Sequence, residues 1–245
     1  MTSLLFTIPL GLLMGILVNY LCDVLPLTRK IGKPICTRCQ TSLSWKEYLF
    51  STRCSACTKV YPARRYFVLV LFPILVSLLW IFPPERFNVW LGLLLITYAA
   101  VIFIVDLEYR AILLPTIWVG IAVFLILGIS THGFLPTILG GAAGFLIMLS
   151  LHYAGHLYTQ WLAKKSGEVL DEPALGLGDV NLSGVLGLGL GWPGIIAGLV
   201  IAIFLGGLIS LVYLVVSKIT RNYKLFQAIP YAPFLILAAL YLLFR

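Results

Sequence analysis

The chain is predicted to be an all-α integral membrane protein of about eight transmembrane helices, with a small cysteine-bearing insertion after the first. Three observations carry that prediction. Of 245 residues, 61% are hydrophobic and only 11% charged, with a mean hydropathy of +1.04. Soluble domains are roughly 45–50% apolar and about 25% charged, so one water-soluble core cannot hide this much apolar surface. The apolar residues also recur in runs near the ~20 residues that a helix needs to cross a bilayer. Finally, the basic residues crowd into alternate loops. The same figures exclude a disordered chain, a collagen-like chain and a disulfide-rich secreted module.

Apolar runs place spans near residues 3–25, 67–83, 88–107, 113–130, 134–157, 179–191, 194–217 and 229–244. The first lacks a basic segment before it and a small-residue cleavage site after it, so it is a membrane helix and not a secretory signal. The sixth is short and carries Gly184, Gly187, Gly189 and Gly191. It is expected to be broken or tilted, or to run into the seventh across Trp192-Pro193-Gly194, which would make the count seven. Gly140-Gly141 with Gly144, and Gly206-Gly207, suit close helix packing. The organisation expected is a first helix (1–25), a loop domain (26–66) and a polytopic helical domain (67–245), with no internal repeat of 20–50 residues.

Basic residues orient the chain, because Lys and Arg accumulate in cytoplasmic loops. The 26–66 loop holds Arg29, Lys30, Lys33, Arg38, Lys46, Arg53, Lys59, Arg64 and Arg65. Arg110, Lys164, Lys165, Lys218, Arg221 and Lys224 fall in later loops on the same side, which places fifteen of the seventeen there. Only Arg86 and Arg245 lie opposite. The N-terminus is therefore expected outside and the 26–66 loop in the cytoplasm. The net charge of +8 follows from topology; membrane lipid is the expected anionic partner, and nucleic acid is not.

The loop contains Cys36-Thr37-Arg38-Cys39 and, after fourteen intervening residues, Cys54-Ser55-Ala56-Cys57. Paired CxxC knuckles match a tetrahedral four-thiolate zinc site, and disulfides are disfavoured in a reducing cytoplasm. Four cysteines leave no open coordination position, so the metal's role is structural, as a staple for a loop too small to build a core. The fifth cysteine, Cys22, lies in the first span as an apolar side chain.

Acids are scarce, and those at span ends stand out. Asp23 ends the first span, Asp106 ends the third, and Asp179 begins the sixth. The third span runs inward and the sixth outward, so Asp106 and Asp179 share a depth near the cytoplasmic surface. Two aspartates that close can share a proton. One then serves as general base on a water while the other polarises a scissile carbonyl. Interfacial pairing with Arg or Lys, and a transporter's proton relay, are the alternatives. Asp179 is preceded by Gly176-Leu177-Gly178, and glycines at minus one and minus three let a peptide strand come close to the acid.

Together these features resemble the type IV prepilin peptidases, membrane aspartic proteases with a GxGD motif. The resemblance rests on Gly15 to Asn19 with Pro26 seven residues later, on Cys36, Cys39, Cys54 and Cys57, and on Arg65-Tyr66 before the second span. It rests also on Asp106 through Leu114-Pro115, and on the GxGD aspartate, Asp179. It implies catalytic roles for Asp106 and Asp179, with Asp23 and Glu108 as neighbours at the rim. The implied activity is cleavage of the leader of a type IV prepilin or type II secretion pseudopilin, after a glycine, at the cytoplasmic side of a bacterial inner membrane. N-methylation of the new N-terminus with S-adenosylmethionine is implied as a second activity. The family's Pro and Glu after Arg-Tyr are replaced here by Phe67 and Val70, in the region tied to methyl transfer; Thr116 and Asn181 are further departures.

A proton-coupled transporter using the same acids is the rival from another class, and a non-catalytic zinc-bound scaffold for a secretion assembly is a third reading. His152 and His156, four residues apart beside Tyr153, Tyr158 and Trp161, fit an aromatic interfacial belt and not a metal site. The 158–178 loop, with Lys164, Lys165, Glu168, Asp171 and Glu172, is expected to be solvated and is a candidate gate.

Overall fold

The computed structural model describes residues 2–166, 176–219 and 230–245. They form nine helices: α1 (Thr2–Thr28), α2 (Trp45–Phe50), α3 (Ala63–Ile81), α4 (Val89–Tyr109), α5 (Leu114–His132), α6 (Phe134–Ser166), α7 (Leu177–Leu190), α8 (Gly194–Ile219) and α9 (Ala232–Phe244). Extended pairing among the described residues is limited to two isolated bridges, Ile35 with Ser42 and Arg53 with Val60. The described residues are therefore all-α, and each of the eight apolar runs overlaps one helix. The candidate gate residues Glu168, Asp171 and Glu172, together with Arg221 and Lys224, lie outside the described residues.

Among the described residues six helices, α1, α3, α4, α5, α6 and α8, are long and apolar enough to cross a membrane. α7 and α9 are apolar but have only 14 and 13 residues. At ~1.5 Å per residue each extends about 20 Å, short of the ~30 Å hydrocarbon core. The glycine-rich sixth run is thus a short continuous helix. It is separated from α8 by a turn at Gly191, whose φ of 66° suits glycine, followed by Trp192 and a cis peptide to Pro193.

The chain divides into two compact units, Met1–Tyr109 and Arg110–Arg245. In the first, α1 packs along α3, and glycine makes that approach feasible: a Cβ on Gly11 would stand 2.4 Å from the Cα of Pro73. The loop between α1 and α3 has its own small core, in which Tyr20 and Val24 of α1 join Cys36, Leu43, Tyr48, Cys54 and Tyr61. In the second unit α7 is the central helix, packed by α5, α6, α8 and α9. Its own Val180, Leu182, Val185 and Leu186 are buried.

Candidate functional site

The four loop cysteines come together. Their sulfurs lie within 4.8 Å of one another, with Cys36 Sγ 3.9 Å from Cys57 Sγ and Cys39 Sγ 3.7 Å from Cys54 Sγ. A disulfide would need about 2.05 Å. A tetrahedron with Zn–S bonds of about 2.3 Å has sulfur–sulfur edges of about 3.8 Å, so the donor set fits a four-thiolate metal site. Among the described residues it is the one group of this kind that could hold a metal ion.

The two knuckles are built alike, eighteen residues apart. In the first, the Cys36 amide donates to the Thr41 carbonyl and the Gln40 amide donates to the Cys36 carbonyl. In the second, the Cys54 amide donates to Lys59 and the Thr58 amide donates to Cys54. Gln40 and Thr58 hold the same left-handed backbone, φ 57° and 54°. The Thr41 hydroxyl and amide pull the Cys39 thiol down to about 6, whereas burial pushes Cys36 up to about 11. Glu47 ties α2 to the second knuckle, its Oε1 accepting the Ser55 amide at 2.8 Å. The Ser55 hydroxyl, together with that amide, holds the Glu47 carboxyl below the usual range.

Where the loop meets the helices, a polar network appears that no single motif announces. The Tyr48 hydroxyl donates to Asp23 Oδ2 at 2.7 Å. Burial, with the Asp23 charge, keeps that phenol well above its ordinary range and so a donor. Asp23 also pairs with Arg64, whose Nη1 reaches Glu108 Oε2 at 3.1 Å. Arg65 is 6% exposed, its guanidinium lying 4.4 Å from the ring centroids of both Tyr48 and Tyr61. Asn19 is buried as well, its Nδ2 donating to the carbonyls of Gly15 and Arg65, each at 3.1 Å. Asp23 and Glu108 are thus neighbours, joined through Arg64. The sequence signal for this network was two arginines in the first turn of α3, where a helix dipole disfavours cations.

Asp106 is buried, 5% exposed, in the last turn of α4. Asp179 is half-buried in the first turn of α7, after an extended N-cap at Gly176, whose carbonyl accepts the Asp179 amide at 3.1 Å. A Cβ on Gly178 would lie 3.0 Å from the Ile112 Cβ, so this glycine packs α7 against the residues before α5. Gly176 is exposed, and a Cβ there would meet the Asp179 carboxylate at 3.4 Å. Tyr231 is the N-cap residue of α9. Asp106 belongs to the first compact unit and Asp179 to the second. His152 and His156 lie on α6 beside the stacked pair Tyr158 and Trp161, and His156 shares a 3.0 Å bond with Gln160.

The sequence model of the Type IV leader peptidase family matches residues 93–211, which include both aspartates. A prepilin leader peptidase/N-methyltransferase of Aeromonas salmonicida is 25% identical over 222 residues, 85% of this chain and 69% of the relative. One from Myxococcus xanthus is 26% identical over 230 residues, 86% of this chain and 63% of the relative. A third, from Aeromonas hydrophila, is 29% identical over 125 residues, 51% of this chain and 37% of the relative. No solved structure matches the chain.

Proposed function

We propose that the chain is a member of the Type IV leader peptidase family, whose model matches residues 93–211, and that it cuts the leader of a type IV prepilin or type II secretion pseudopilin with Asp106 and Asp179 as its acid pair. The observation that carries the reading is that the matched segment spans both aspartates, each in the terminal turn of an apolar helix. The distribution of the basic residues supports cleavage on the cytoplasmic side of the inner membrane, with the N-terminus outside; cleavage after a glycine is what the resemblance to the family implies.

The two helix ends suit the acids to different roles. Negative charge is favoured at a helix N-terminus and disfavoured at a C-terminus. Asp179, in the first turn of α7, is therefore the carboxylate that takes a proton from water. Asp106, buried in the last turn of α4, is the acid that holds a proton on the scissile carbonyl oxygen. The water oxygen bonds to the carbonyl carbon, and collapse of the tetrahedral intermediate breaks the C–N bond. The amine leaves with the proton that Asp179 had accepted. No covalent enzyme intermediate is needed.

Zinc held by Cys36, Cys39, Cys54 and Cys57 would staple the loop without taking part in the chemistry. N-methylation of the new N-terminus with S-adenosylmethionine completes the proposal. Mass spectrometry of the processed pilin, with methyl donor supplied, tests it; a free amine alone confines the chain to proteolysis. For cleavage, a prepilin is co-expressed and leader loss followed on a gel. Asp106→Asn and Asp179→Asn, each still membrane-inserted, should leave the precursor uncut, and wild-type processing by either overturns the acid pair.

A further inference from the structure

Arg64 is the second residue of α3, where the helix dipole opposes a positive charge, yet its side chain is only 12% exposed. α3 gives no reason for a cation there; the partners are on other helices. Arg64 pairs with Asp23 of α1 through Nη2 and with Glu108 of α4 through Nη1, the latter at 3.1 Å. Asp23 in turn accepts the Tyr48 hydroxyl of α2 at 2.7 Å. The path Tyr48–Asp23–Arg64–Glu108 therefore runs from the four-cysteine loop to the last turn of α4, two residues beyond Asp106, all within one compact unit. The last turn of a helix has carbonyls without intrahelical partners and is its least constrained part, so a side-chain tether has most effect there.

We propose that Arg64 is a positioning residue for proteolysis. By bridging Asp23 and Glu108 it fixes the last turn of α4, and with it the Asp106 carboxylate, against the metal-stapled loop. The role rests on the reading of Asp106 as catalytic. Arg64 touches neither substrate nor the reacting atoms and acts through Glu108. Loss of the tether leaves substrate binding intact and misplaces a reacting group, so it appears in kcat and not in KM.

The test measures kcat and KM for prepilin cleavage by the full-length protein in phospholipid vesicles, with Asp106→Asn in parallel. Arg64→Gln and Glu108→Gln should each lower kcat by about tenfold, within the ~100-fold that a 1 Å misplacement can cost, while KM stays within about twofold. The double variant should be no slower than Arg64→Gln, because both act on one path. Arg64→Lys, able to make one ion pair, should recover part of the loss. Where Arg64→Gln fails to insert, because Asp23 is left buried with no cation, Glu108→Gln at the more exposed end carries the test. Wild-type kcat in Glu108→Gln beside an inactive Asp106→Asn overturns the positioning role alone, as do losses that multiply in the double variant. An active Asp106→Asn overturns the catalytic reading beneath it.

Discussion

Gly140 of α6 and Gly187 of α7 stand backbone against backbone. A Cβ on Gly140 would come within 2.4 Å of the Gly187 carbonyl oxygen, and one on Gly187 within 2.3 Å of the Gly140 carbonyl oxygen. The seam continues where Gly144 faces the Ser183 carbonyl and Gly128 of α5 faces that of Leu188, at 2.5 and 2.1 Å for an added Cβ. α7 is thus clasped by the absence of side chains, and the helix so clasped carries Asp179. Gly187→Ala should force α6 and α7 apart at a cost of at least the ~1–3 kcal/mol typical of overpacking. The detergent-solubilised protein should melt earlier and cleave more slowly. Gly207→Ala in α8, where nothing lies within 4 Å of an added Cβ, is the matched control. Equal melting of the two variants would show that the seam yields.

The two glycines of the GxGD turn should behave differently. Gly178→Ala brings its Cβ to 3.0 Å from that of Ile112 and must shift the first turn of α7, so kcat should fall by about tenfold. Gly176 has an ordinary extended backbone, φ −75° and ψ 147°, and serine is a better N-cap than glycine. Gly176→Ser should keep full thermal stability. If the bare backbone at 176 serves approach of the leader peptide, KM should rise. An unchanged KM would reduce Gly176 to a helix start.

What was legible follows from how strongly physics constrains each feature. A lipid-crossing helix demands about 20 apolar residues, so the six long runs could be read directly, whereas α7 and α9, with 14 and 13 residues, were expected as spans and fall below that length. α2 could not: six residues from Trp45 to Phe50, with Tyr48 alone buried, make no period. Its signal was the Ser44-x-x-Glu47 pattern, and the structure uses it, Ser44 Oγ accepting the Glu47 amide at 3.2 Å. The four cysteines were legible because knuckle spacing nearly dictates the cluster. The near-identity of the two knuckles, at an offset of eighteen residues, is shorter than the 20–50-residue period of a repeat architecture. Asp23, Arg64 and Glu108 were visible as charges at span ends, but which cation bridges which acids is decided by helix packing that no local pattern encodes. The proposed pairing of Asp106 with Asp179 rests on motif order and on the depth expected from the sequence.

The cysteine cluster should hold about one zinc per chain in purified protein, since its sulfur spacing matches four Zn–S bonds. Cys36→Ser with Cys54→Ser should lose the metal. Cys36 and Cys54 also line the loop's own core with Leu43, Tyr48 and Tyr61, so metal loss should loosen α2 as well. Limited proteolysis within residues 29–62 should become faster in the double variant and in chelator-treated wild type. Full zinc content in the double variant would refute the four-thiolate site.

Arg65 contributes to the same docking by a separate route. Its guanidinium lies over both the Tyr48 ring on α2 and the Tyr61 ring just before α3, 4.4 Å from each centroid, where the two rings meet edge-on at 6.5 Å, so one cation ties together both ends of the second knuckle. A desolvated cation–π contact is worth about 2 kcal/mol. Lysine keeps the charge but loses the planar stacking surface, and methionine keeps a flexible apolar stem without charge. Thermal midpoint and protease resistance should therefore fall in the order wild type, Arg65→Lys, Arg65→Met. Tyr48 permits a finer separation, because Tyr48→Phe keeps the ring beneath Arg65 and removes only the bond to Asp23, whereas Tyr48→Leu removes both. Tyr48→Leu should thus be less stable than Tyr48→Phe in the wild-type background, and that difference should shrink in the Arg65→Met background. A difference that persists undiminished would assign the ring to packing alone and remove the cation from the account.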